Sequence, residues 1–116
     1  MRDTLYVNFA AGPGCGKSTW SAGLFYKLKL EGIEAELCRE FAKEKVWAGD
    51  LASLQCQPYI TTRQSYRQFI LNGKVDVVVT DSPIFLGLIY PTPDMNSHFE
   101  KWIMESFNSH RNLTFF

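Results

Sequence analysis

The chain has 116 residues, 46% hydrophobic and 21% charged, and its 12 basic and 12 acidic side chains cancel to a formal net charge of zero. That length sets one domain with a small core, and the balanced charge offers no electrostatic case for a nucleic-acid or membrane partner. The longest apolar run, residues 84–90, is far too short to span a bilayer.

Leu5-Tyr6-Val7-Asn8-Phe9-Ala10 is rich in β-formers and stops at a glycine-rich loop, the pattern of a buried strand. Residues 18–31 switch to a helical period, with Trp20, Leu24, Phe25 and Leu28 on one face and Gly32 at the C-cap. Residues 33–38 alternate Ile33, Ala35 and Leu37 against Glu34 and Glu36, which predicts a strand at a sheet edge. A short helix is expected over 41–47, ending near Gly49. A longer one runs from Pro58 to about Leu71, with Tyr59, Thr62, Tyr66, Phe69 and Ile70 at helical spacing and Gln64, Arg63 and Arg67 on its wet face. Residues 75–80, nearly all β-branched, predict a central strand buried on both faces. After the Pro91-Thr92-Pro93 loop, Asp94 or Asn96 can cap a helix carrying Phe99, Trp102, Ile103, Ser106 and Phe107. Residues 112–116 then predict a fourth strand. Alternating strands and helices imply βαβ units around a parallel sheet.

The cysteines, Cys15, Cys38 and Cys56, have neither C-x-x-C nor Cys/His spacing. That argues against structural zinc or a disulfide framework and fits a reducing, cytoplasmic setting. The chain is expected to be truncated, because it stops at Phe115-Phe116, inside an apolar strand-like run.

Ala11-Gly12-Pro13-Gly14-Cys15-Gly16-Lys17-Ser18-Thr19 matches the Walker A pattern, with Ala11 in place of the first glycine. Glycines let the backbone approach phosphate closely, and successive N–H groups at a helix N-terminus make an anion site. On this pattern Lys17 reaches the β- and γ-phosphates, Ser18 ligates Mg²⁺, and Thr19 helps hold the α-phosphate. ATP and Mg²⁺ are therefore the expected cofactors. Asp81 follows the strand over 75–80, where an acid either holds Mg²⁺ as a Walker B aspartate does or caps the next helix. Arg39 and Glu40 follow the second strand and should share that rim. Glu40 is either a base for an acceptor hydroxyl or a surface acid, and Arg39 either a phosphate partner or a surface cation. Tyr59, Arg63 and Gln64 can read an acceptor's ring by stacking and hydrogen bonds, or can simply belong to an amphipathic helix. His98 and His110 have no catalytic partner in the pattern.

The segments Gly12-Pro13-Gly14-Cys15-Gly16-Lys17-Ser18-Thr19, Arg39-Glu40-Phe41-Ala42-Lys43 and Val77-Val78-Val79-Thr80-Asp81-Ser82-Pro83 resemble the AAA-type P-loop domain related to nicotinamide-riboside kinases. Many of its members are phage-encoded proteins labelled ATPase or nucleotide kinase. The resemblance implies a three-layer P-loop NTPase fold with a parallel sheet of order 2-3-1-4-5. It places Lys17, Ser18 and Asp81 at the triphosphate and metal, and Glu40 near a small-molecule phosphate acceptor. The chain departs from such kinases in ending after its fourth strand, without the arginine-bearing lid, fifth strand and adenine-contacting loop. The expected function is a nucleoside or nucleotide kinase. An ATPase using water, or a non-catalytic fragment acting with a partner chain, is the alternative. No Asn-Lys-x-Asp guanine-reading segment and no evident arginine finger occur.

Overall fold

The computed structural model of the chain describes residues 2–10 and 16–116. Strand β1 (Leu5–Phe9) is followed by helix α1 (Lys17–Leu30), strand β2 (Ala35–Cys38), helices α2 (Phe41–Ala48), α3 (Leu51–Leu54) and α4 (Gln57–Phe69), then strand β3 (Val77–Thr80). Helices α5 (Leu86–Ile89) and α6 (Ser97–Asn108) lead to strand β4 (Arg111–Phe115). All strand pairs are parallel and the order is β2-β3-β1-β4. With α1 packed across β2, β3 and β1 and α4 hydrogen-bonded over the Tyr6 side, the arrangement is compatible with a three-layer α/β fold. No helix among the described residues is long and apolar enough to cross a membrane.

The central strand β3 forms where the sequence is most β-branched. β3 lies between β2 and β1, and Val78, Val79 and Thr80 are completely buried. β2 stands at the edge, with Ala35 buried and Glu36 exposed, as its charge alternation requires. Helix α1 ends in a Schellman motif: Ile33 N–H donates to Leu28 O, Gly32 N–H donates to Lys29 O, and Gly32 sits at φ 75°. Asn96, rather than Asp94, caps α6 by accepting from Phe99 N–H. Asp94 instead accepts from Thr92 and Cys56, bonds that hold its carboxyl below the usual range.

Two helix faces differ from expectation. On α1 Leu24, Phe25 and Leu28 are half-buried as expected, but Trp20 is largely exposed and Ser21 takes the buried place beside them. On α4 the buried residues are Thr61, Gln64 and Gln68, while Tyr59, Tyr66, Phe69 and Ile70 lie on the open side. The reason is what α4 packs against. Its inner face meets polar groups: Gln68 Nε2 donates to Ser82 O at 3.2 Å, and the Tyr6 side chain donates through Oη to Gln68 O at 3.0 Å. Buried backbone groups need partners, and two glutamines supply them. Helices α3 and α5, four residues each, were not anticipated, because so short a helix shows no readable period.

Gly87 on α5 touches α4 and α6. A Cβ there would stand 2.4 Å from Thr61 Oγ1 and 3.1 Å from Ile103 Cδ1. Gly87→Ala is therefore expected to lower stability by about 1–2 kcal/mol in urea unfolding, because overpacking exceeds the helix-propensity gain.

Candidate functional site

Parallel pairing decides which chain segments meet. Asn8 and Cys38 are both in register with Thr80, so the segments following β1, β2 and β3 leave the sheet on one rim. Ligands of open α/β sheets bind beyond such carboxyl ends. Gly12, Pro13, Gly14 and Cys15 lie outside the described residues, as does Ala11. Their neighbours Gly16 to Thr19 are described.

Helix α1 opens at Lys17 with Gly16 as its N-cap, at φ 77°, a conformation that side chains strain to adopt. Gly16 contributes no side-chain cap and the first turn of α1 carries no acid of its own. From this turn Ser18 Oγ donates to Asp81 Oδ2 at 2.7 Å. Asp81, one residue past β3, is 3% exposed, and its Oδ1 has no hydrogen-bond partner among the described residues. The capping alternative for Asp81 falls away, since the next helix, α5, has Phe85 at its N-cap.

Beside this pair opens a cleft of about 600 Å³. Gly16, Lys17, Ser18, Glu40 and Lys43 form its polar side, and Leu54, Ile60, Ile84, Leu86 and Tyr90 are among its apolar residues. Glu40 precedes α2 yet makes no side-chain cap bond, which leaves its carboxylate to the cleft. The α2 N-terminus is satisfied differently. Gln64 Oε1 accepts from Phe41 N–H at 2.7 Å, and its Nε2 donates to Arg39 O at 3.2 Å and Cys38 Sγ at 3.6 Å. Gln64 thus lines the cleft with its amide already engaged, fixing the turn that carries Glu40. Gln57 is similarly occupied, its Nε2 donating to Tyr90 O at 2.7 Å.

The structure brings Gly16, Lys17, Ser18, Glu40, Gln64 and, through Ser18, Asp81 together. Arg39 and Thr19 are exposed and lie outside the cleft lining. Tyr59 and Arg63 also lie outside it: Tyr59 packs edge-on against Phe41, ring centroids 5.7 Å apart, and the Arg63 guanidinium is 5.4 Å from the same ring. Lys43 was missed as a site residue. Its Nζ donates to Ser18 Oγ at 3.3 Å, and the available signal was its three-residue spacing from Glu40 at the start of a helix. Burial lifts the Cys38 thiol to about 11, with Arg67 opposing and Asp81 adding to the rise, so it stays protonated.

Ser18 and Asp81 are the oxygen donors that could hold a metal ion at this rim. No group of three or more His, Cys, Asp or Glu side chains gathers among the described residues. Ser18 and Asp81 offer one hydroxyl and one carboxylate, the sparse oxygen set that Mg²⁺ accepts when phosphate and water complete it. Comparison of the chain with protein-family models, with curated proteins and with solved structures finds no match.

Gln64→Leu keeps the volume but leaves Phe41 N–H and Arg39 C=O without their buried partner. It is expected to cost about 1–3 kcal/mol in urea unfolding, as stranded buried polar groups do.

Proposed function

We propose that the chain is a P-loop protein that binds ATP with Mg²⁺ and transfers the γ-phosphoryl group to a nucleoside- or nucleotide-like small molecule in the cytoplasm. The observation that carries this reading is the Ser18–Asp81 hydrogen bond, 2.7 Å, joining the helix after a Walker A sequence to the end of a central parallel strand. Glu40 beside it, in a cleft of about 600 Å³, favours an acceptor over water alone.

In this reading residues 11–19 cradle the triphosphate through backbone N–H groups, and Lys17 sets its ammonium against the β- and γ-phosphates. Ser18 and Asp81 hold Mg²⁺, which when bound offsets phosphate charge. Glu40 orients the acceptor hydroxyl and takes its proton. The apolar wall of Leu54, Ile60 and Leu86 limits water around the reacting groups. Positioning and electrostatics supply most of phosphoryl-transfer catalysis, so these roles suffice in kind.

The test is ADP release from ATP and Mg²⁺ across a panel of nucleosides, nucleotides and nicotinamide riboside. Release that requires one acceptor is expected. Equal release without any acceptor would make the chain an ATPase, and binding without turnover would make it a nucleotide-binding module. Separately, Lys17→Ala should weaken ATP binding by about ten- to a hundredfold, the worth of one charge-assisted hydrogen bond. Undiminished affinity in calorimetry would refute the site.

A further inference from the structure

The carboxylate of Asp81 is buried, with one oxygen taken by Ser18 and the other without a partner among the described residues. Such a group needs a cation nearby. The ammonium that approaches it is that of Lys43, 3.3 Å from the Ser18 Oγ that itself donates to Asp81. The result is a line of ammonium, hydroxyl and carboxylate crossing from α2 to α1 to the residue after β3. Helix physics does not explain Lys43: it stands in the first turn of α2, where the helix dipole disfavours a cation. Nor does a surface ion pair, since the direct pairs of the described residues do not include it. The Ser18–Asp81 pair explains it.

We propose that Lys43 is the resident counter-cation of Ser18 and Asp81, and that a divalent cation must displace it to enter. The inference rests on the reading above that these two residues hold the metal. A lone pair of Ser18 Oγ engaged by Lys43 is withheld from a metal, and the ammonium charge repels an incoming cation. Lys43 is exposed, so its hold is modest and reversible.

The decisive quantity is the ratio of affinities for a fluorescent ATP analogue with Mg²⁺ and with EDTA. Lys43→Met should raise this ratio by about three- to fivefold, the size of an exposed charge interaction. Lys43→Arg, which keeps the charge, should stay near the wild-type ratio. If Lys43 is instead an ordinary phosphate ligand, Lys43→Met lowers both affinities together, the ratio holds, and the proposal is overturned. Asp81→Asn separates the two layers. It should bring the ratio towards one, and if it leaves the ratio intact the metal assignment itself fails. Lys43→Gln, which retains a donor without charge, gives the same reading should Lys43→Met not fold.

Discussion

The Ser18 hydroxyl donates to a carboxylate that the sheet has already buried, and the arrangement of the rim follows from that bond. Burying a carboxylate costs several kcal/mol even after relaxation. One hydrogen bond to a charged group returns about 1.5–3 kcal/mol. The deficit leaves Asp81 as a standing demand for positive charge beside α1, with Oδ1 unpartnered among the described residues. A purely structural role would have been met more cheaply by an asparagine or an apolar side chain. The proposed cation site would give that carboxylate its counter-charge.

That demand is held in place by side chains that do no chemistry themselves. Gln64 secures the turn from Arg39 to Phe41, and Gln68 secures Ser82, immediately after Asp81. Both lie on α4, so one helix fixes two of the three rim segments relative to each other. Phe41, 1% exposed, anchors the start of α2 beneath them, with Lys45, Arg63 and Arg67 around its ring. The rim is thus braced by amides and an aromatic anchor, which keeps Glu40 and Lys43 on the same side of the cleft as Ser18.

The strands were legible because their signals are local. Val77 to Thr80 could hardly be anything but a central strand, and the charge alternation at Glu34 and Glu36 announced an edge. The order β2-β3-β1-β4 agrees with the sheet order that the resemblance implied. The α4 faces were not legible, because amphipathicity assumes that a helix packs on apolar surface. Here Gln64 and Gln68 face inward because they bond backbone groups of the turn over residues 39–41 and of Ser82, which no single-residue scale records. Tyr59, Arg63 and Gln64 were singled out as candidate acceptor readers from their stacking and hydrogen-bonding chemistry, with plain helix amphipathicity as the alternative. The structure gives the first two to Phe41 and the third to the α2 turn. Lys43 escaped notice for a different reason: its partner is 25 residues away and becomes a neighbour only when the sheet closes.

Charge arithmetic at the rim ties these observations to the proposed function. Without ligand, Lys17 and Lys43 stand against Glu40 and Asp81, two charges of each sign around one cleft. A triphosphate entering that balance adds several negative charges, which Lys17 alone does not offset. In the proposed reading a divalent cation held by Ser18 and Asp81 would offset part of that charge, and its entry would release the Lys43 ammonium. Lys43 then remains in a cleft newly filled with anionic oxygen, beside Glu40. On that reading the metal's two charges would meet part of the triphosphate's charge, and the freed Lys43 would stand ready to meet part of the rest.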